Sequence, residues 1–319
     1  MKRRKFIKLT AATAPLISYF PADLSGITRE IRVRGIEKRS YGKTKEKLSI
    51  LGFGGVVLMD STPEQAAERV SKAIDYGINY FDVAPTYGEA EFRMGPALEP
   101  YRKNVFLACK TTKRKAEEAQ KELEQSLERL KTDYFDLYQL HAVTKPEDVK
   151  TIFGPGGAME TFVKAREAGK IRYIGFSAHS VEAAMDLLDG FQFDSILFPV
   201  NYACWHAGNF GPQVLEKAKK QGAAILALKS MARRPWPDGI EKIPKCWYEP
   251  VDDRGEALKA LRFTLSHPVT AAIPPGNEDL FFMALELMSR FQPLSREEII
   301  QMKELGNAET PLFSYPIQG

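Results

Sequence analysis

From residue 48 onward, short uninterrupted apolar runs alternate with longer stretches in which apolar residues recur every three or four positions. The runs begin near Leu51, Ile78, Val105, Tyr134, Ile171, Ser195, Ala224 and Val269. Runs of this kind suit strands covered on both faces. The first four starts lie about 30 residues apart, the length a strand, a helix and two short loops take up. Of the stretches between, Pro63 to Tyr76 opens on a Thr62 cap with proline at the first helical position. Lys115 to Leu130 places Ala119, Leu123, Ser126, Leu127 and Leu130 on one face, with charged residues opposite. Further helices are expected at 157–168, 181–188, 212–221, 254–266 and 277–290. A strand that must return parallel to its predecessor needs a crossover helix. Eight such units in about 250 residues predict an α/β fold, a single closed (β/α)8 TIM barrel. Lys38 to Leu48, with a turn near Gly42 to Lys45, reads as a hairpin capping the barrel's bottom. Ser295 to Leu305, with Glu298 three positions after its serine cap, reads as one extra helix.

The barrel gives certain polar residues a common address. Asp82 ends the second run, and Tyr87 follows in the loop Val83-Ala84-Pro85-Thr86. Lys110 closes the third run and His141 the fourth. All four fall at or just past the C-terminal edges of adjacent strands, where barrels carry their chemistry. A phenol titrating near 10 is a poor acid at neutral pH unless its phenolate is stabilised. A neighbouring ammonium does that, and a carboxylate keeps the ammonium charged and placed. Asp82, Lys110 and Tyr87 supply these parts, and His141 is positioned to orient a carbonyl oxygen.

Composition narrows the partners. The 319 residues are 44% hydrophobic with a net charge of +4, enough apolar residue for a full core and too little basic excess for a nucleic-acid binder. Cys109, Cys204 and Cys246 show no metal or disulfide spacing, and His206 has no partner at ligand spacing, so no metal site is expected. Gly154-Pro155-Gly156-Gly157 lacks the Lys-Ser/Thr of a phosphate loop and reads as a turn. Residues 1–30 are set apart as a leader, leaving 31–319 for the barrel. Lys2-Arg3-Arg4-Lys5-Phe6-Ile7-Lys8 resembles a twin-arginine export signal, and an apolar stretch from Leu9 to Phe20, too short and polar for a membrane span, follows it. No small-x-small cleavage site follows that stretch. The leader implies contact with export machinery and a periplasmic location; without its use the protein stays cytoplasmic.

The motifs together resemble those of the aldo-keto reductases. The matching stretches are Tyr41 to Thr44 leading to Leu51 to Gly55, Gly77 to Asp82 through Tyr87-Gly88, Lys110, Asp133 to His141, and Gly169 to Ser177. The resemblance implies a nicotinamide cofactor, normally NADP(H), at the barrel's C-terminal mouth, and hydride transfer between it and an aldehyde, a ketone or the corresponding alcohol. It implies Tyr87 as general acid, Lys110 as the group lowering its pKa, Asp82 as partner of Lys110, and His141 as substrate orienter.

The cofactor side departs from the family pattern. Ala178 and His179 follow Ser177 where the family has Asn, and Leu197 stands for the usual Gln on the sixth strand, with Asn201 the nearest amide. Leu228, followed by Lys229, replaces the aromatic ring that stacks on nicotinamide. The segment Ile273 to Asp279 carries no basic residue for a 2′-phosphate, which leaves NAD(H) open beside NADP(H), while Gly276 and Asn277 at a helix start suit phosphate through backbone N–H groups. Trp205, after the sixth strand, and Trp236, in the Pro-rich connection from Arg233 to Tyr248, are expected to wall the substrate pocket. Two other readings fit the same residues: a non-catalytic or sensory nicotinamide-binding barrel, and an enzyme that holds its cofactor tightly and cycles it between two substrates.

Overall fold

A computed structural model describes residues 35–316. The leader read in residues 1–30 lies outside the described residues. The barrel strands are β3 (Phe53–Gly54), β4 (Tyr80–Asp82), β5 (Phe106–Thr111), β6 (Phe135–Val143), β7 (Ile171–Ala178), β8 (Ser195–Pro199), β9 (Ala224–Leu228) and β12 (Ala271–Ala272), after the hairpin β1 (Lys38–Ser40) and β2 (Lys47–Ser49). The eight pair in parallel in the order β12-β9-β8-β7-β6-β5-β4-β3. A parallel bridge from Leu51 to Ala272 joins the two ends, so the sheet closes on itself. Closure leaves no edge strand. The hairpin sits against the strands' N-terminal ends, with the Tyr41 hydroxyl donating to Ser195 Oγ at 2.8 Å.

The helices returning between the strands are α1 (Pro63–Asp75), α2 (Ala90–Leu98), α3 (Ala116–Arg129), α5 (Ala158–Glu167), α6 (Val181–Gly190), α8 (Pro212–Gln221), α9 (Arg254–Ser266) and α10 (Glu278–Met288). The α4 (Pro146–Phe153) and α7 (Tyr202–His206) helices are additions in loops, and α11 (Arg296–Ala308) follows the barrel. Capping boxes at Thr62–Gln65 and Ser295–Glu298 fix the starts of α1 and α11. The sequence pattern misses α2 because Gly95 and Pro96 lie inside it, both poor helix residues. The Pro-rich connection after β9 also holds a short antiparallel pair, β10 (Ala232–Arg234) with β11 (Glu249–Pro250).

Two apolar layers hold the barrel. Tyr41, Leu48, Tyr80, Phe106, Ala108, Leu137, Leu197, Leu226 and Ile273 fill its interior. The second layer lies between strands and helices and includes Phe81, Cys109, Tyr138, Phe162, Phe176 and Phe198. Register aligns Gly54 with Asp82 and Asp82 with Ala108, and Lys110 with Gln139. Parallel pairing therefore carries the polar residues at the strand ends to one rim.

Candidate functional site

Lys110 and Asp82 are the deepest members of that rim, both buried, and their ammonium and carboxylate form an ion pair. Burying two charges is costly unless the remaining lone pairs and protons are satisfied. Here Asp82 Oδ2 accepts from Gln139 Nε2 at 3.0 Å and from the Tyr80 hydroxyl at 3.1 Å. Lys110 Nζ also donates to the Val83 carbonyl at 3.2 Å. An ammonium has three N–H donors. With Asp82 and Val83 taking two, the third faces Tyr87, whose ring centroid lies 5.1 Å from Lys110 Nζ. Gly52 makes this packing possible, since a Cβ there would lie inside contact distance of the Tyr80 ring that reaches Asp82.

Electrostatics then divide the labour. Burial alone would lower the Lys110 pKa, but Asp82 and the Tyr87 phenol more than offset that and raise it, so the ammonium stays charged. Burial raises the Tyr87 phenol above its ordinary value; Lys110 pulls the other way without cancelling it. In the protein alone the phenol thus keeps its proton at neutral pH. The expected lowering by Lys110 is present as an opposing influence and is outweighed by burial. The His141 ring meets Tyr87 edge-on, 5.7 Å between centroids. Burial, and then Lys110, His179, Arg114 and Lys229, hold His141 well below its ordinary value. It is neutral, and its buried Nδ1 meets no hydrogen-bond partner among the described residues.

A break in β6 aims His141 at the mouth. The register shifts between Leu140 and Val143, and Ala142 takes a positive φ of 51°. Arg114 donates to the His141 carbonyl at 2.8 Å, and the Ala142 N–H donates to Ser177 Oγ at 2.8 Å. Ser177 therefore fixes the bulge as well as lining the mouth.

Above these residues opens a cavity of about 550 Å³ lined by Val56, Met59, Tyr87, Lys110, His141, Ser177, His179, Leu197, Leu228, Lys229, Lys245, Cys246 and Trp247. A smaller adjoining chamber shares Tyr87, Leu228 and Lys229, and adds Gly54, Asp82 and Ile273 through Gly276. The four residues expected to do the chemistry are thus together, with Ser177, Leu228, Lys229 and Gly276 around them. Asn277 caps α10 through Oδ1, which accepts the Leu280 N–H at 3.2 Å, and leaves that helix start beside Gly276.

Three expected residues stand elsewhere. Asn201 is buried and spends its side chain capping α7, Oδ1 accepting the Cys204 N–H at 2.9 Å, so it is not the cavity's missing amide. Trp205 packs on His267, with centroids 4.1 Å apart, behind β8. Trp236 donates its indole N–H to the Cys246 carbonyl at 2.9 Å and lines a separate surface cleft with Arg234 and Glu249. The tryptophan at the mouth is Trp247. His179 reaches the cavity directly after the last residue of β7, whereas Lys245 and Trp247 reach it from the long connection after β9 without a signal in strand-end spacing. Gln139 and Tyr80 are hidden for another reason. Inside a strand run they read as core.

The fold is an α/β barrel that sets a buried ion pair behind a phenol at its C-terminal mouth. The chain belongs to the aldo/keto reductase family, whose family model matches residues 50–234. It is 35% identical over 162 residues to an aldo-keto reductase of Bacillus subtilis (strain 168), covering 46% of each chain. It is 28% identical over 214 residues to L-galactose dehydrogenase of Arabidopsis thaliana, covering 62% of this chain and 66% of that one. The chain spans about half the length of the Bacillus subtilis relatives it matches. Among solved structures, the holo form of an aldo-keto reductase of Bacillus halodurans overlays with a TM-score of 0.69 at 24% identity, covering 88% of this chain and 98% of that one. That likeness is one of fold. Asp82, Tyr87, Lys110, His141 and Ser177 lie in the family-matched span; Lys245 to Trp247 and Ile273 to Asn277 lie outside it.

Proposed function

We propose that the protein is a nicotinamide-dependent oxidoreductase that interconverts an aldehyde or ketone with its alcohol, with Tyr87 as the general acid and base. The observation that carries this reading is the protonated Tyr87 phenol against the buried Lys110–Asp82 pair at the floor of the mouth cavity.

The residues present fit a nicotinamide nucleotide. Gly276 packs on Val56 with no room for a Cβ, leaving a close-packed cradle beside the α10 N-terminus, and a helix start offers free N–H groups to an anion. The 273–279 segment carries no basic residue of its own, but Lys245 lines the same chamber and Arg69 pairs with Glu278. These two cations support NADP(H) as the cofactor, with NAD(H) the alternative the titration below distinguishes. Ser177, Leu228, Gly276 and Asn277 would hold the nucleotide, which would supply or take the hydride at the carbonyl carbon.

The chain's own residues manage the proton. In reduction Tyr87 gives its hydroxyl proton to the carbonyl oxygen as that oxygen gains charge. Lys110, held charged by Asp82, then stabilises the phenolate through its free N–H. Neutral His141 orients the same oxygen by donating from a ring N–H. In oxidation the phenolate takes the alcohol proton, and each role runs in reverse.

Titrating the purified protein with NADPH and NADH while following tryptophan emission tests the reading. Saturable binding of at least one nucleotide is expected; binding of neither would favour the non-catalytic reading. A tightly retained cofactor is a second reading. It is favoured by Lys245, which hydrogen-bonds the carbonyls of Val57 and Met59 and so ties the 235–248 connection across the mouth. Nicotinamide still bound after gel filtration would support it. We further propose export through the Arg3-Arg4 leader. Substituting both arginines by lysine should hold the protein in the cytoplasm, and unchanged periplasmic recovery would end that proposal.

A further inference from the structure

Among the described residues, Lys229 is the lysine of the mouth cavity that has no ion pair or hydrogen bond. It follows β9 in a left-handed conformation, φ 65°, that a non-glycine residue rarely adopts, and the turn is closed by the Ala232 N–H donating to its carbonyl at 2.8 Å. The other two lysines of the cavity are engaged: Lys110 with Asp82, and Lys245 with the Val57 and Met59 carbonyls. Among the described residues the Lys229 ammonium forms no ion pair or hydrogen bond and rests over the rings of Trp247 and Tyr248, 4.6 and 5.2 Å from their centroids. The cavity wall that contains it also holds Tyr87, His141 and His179 and has no carboxylate. Asp82 lines the adjoining chamber, which Lys229 also borders, but its carboxylate is committed to Lys110, Gln139 and Tyr80.

A partly buried, unpaired ammonium in an acid-free pocket is the complement of an anion. A neutral aldehyde reaching Tyr87 and His141 would leave it unmet. We propose that the substrates are oxo acids, aldehydes or ketones that carry a carboxylate, and that Lys229 with His179 seats the carboxylate while the carbonyl oxygen faces Tyr87. The inference rests on the oxidoreductase reading above. A phosphate of the nucleotide is the other possible anion. The substrate is favoured because His141 and His179 share the larger cavity with Lys229 and Tyr87 and do not line the chamber that holds Gly276.

The test pairs 4-oxobutanoate with butanal, and adds butanoate, which has no carbonyl to reduce. A hydrogen bond to a charged group contributes about ten- to a hundredfold in affinity. The parent protein should therefore favour 4-oxobutanoate over butanal in kcat/KM by about ten- to a hundredfold, and the ratio should fall towards one in Lys229→Met and recover in part in Lys229→Arg. Butanoate should change the tryptophan emission of the nucleotide-loaded parent and leave that of Lys229→Met unchanged at the same concentration. An equal loss for both aldehydes, with weaker NADPH binding, would assign Lys229 to the nucleotide phosphate and overturn the proposal. So would an aldehyde ratio near one in the parent. Turnover of neither aldehyde would count against the oxidoreductase reading, and butanoate binding that requires Lys229 would still support the anion seat by itself.

Discussion

Removing one partner of the Lys110–Asp82 pair should harm the protein more than removing both. Each side chain is essentially inaccessible, at 0% and 2% exposed. Lys110→Met leaves a buried carboxylate with only the Gln139 amide and the Tyr80 hydroxyl as donors. Asp82→Asn leaves a buried ammonium with neutral acceptors, the Asn oxygen and the Val83 carbonyl, but no counter-charge. Breaking a buried pair in this way costs about 3–5 kcal/mol, whereas replacing both charges can be close to neutral. With a melting shift of about 2–4 °C per kcal/mol in domains approaching this size, either single variant should lose roughly 6–20 °C. The double variant should lose no more than the milder single one. Thermal and urea unfolding followed by circular dichroism on all four proteins closes the cycle. A double variant whose loss equals the sum of the singles would refute the argument, because the two charges would then not be stabilising one another.

Three shorter predictions follow from the same geometry. Burial is the leading cause that lowers all four histidines, His179 and His267 to about 4, so the native state resists protons that the unfolded chain takes up below about pH 6.5. Stability should accordingly fall as pH drops from 6.5 towards 4, by up to about 1.4 kcal/mol per pH unit for each group; a melting temperature that is flat over that window would contradict it. Since neutral His141 is the form that orients the carbonyl, kcat/KM for reduction should not decline between pH 7 and 6, and an acid limb centred at pH 6.5 and removed in His141→Gln would count against the assignment. Gly52→Ala should cost about 1–3 kcal/mol by overpacking against Tyr80, and should lower turnover as well, because the displaced ring no longer reaches Asp82; a variant as stable and active as the parent would show the contact unimportant.

The barrel was legible because each strand is covered on both faces, so it reads as a short apolar run between amphipathic stretches. The helix most clearly missed, α2, carries its own breakers, Gly95 and Pro96, and is held by tertiary packing. Asp82, Lys110 and His141 were visible because they close apolar runs at their C-terminal ends, and Tyr87 because it follows Asp82 in the next loop. Gln139 and Tyr80 support Asp82 from inside such runs, where nothing marks a polar atom as shared. Asn201, Trp205 and Trp236 were misplaced for a common reason. Sequence put them after strands that lead to the mouth, but a helix cap, a histidine ring and a loop carbonyl each took the side chain away. Lys245 and Trp247 belong to the Pro-rich connection whose place at the mouth the sequence predicts, but only the folded chain shows that these two side chains, and not Trp236, reach the cavity.

The central claim is that Tyr87 delivers the proton. Steady-state reduction of an aldehyde panel, oxo acids included, by the parent and by Tyr87→Phe with saturating nucleotide tests it most directly. Loss of a general acid should lower kcat by about 10²–10⁴-fold, with nucleotide titration showing that Tyr87→Phe still binds the cofactor. Turnover in Tyr87→Phe equal to that of the parent would contradict the account.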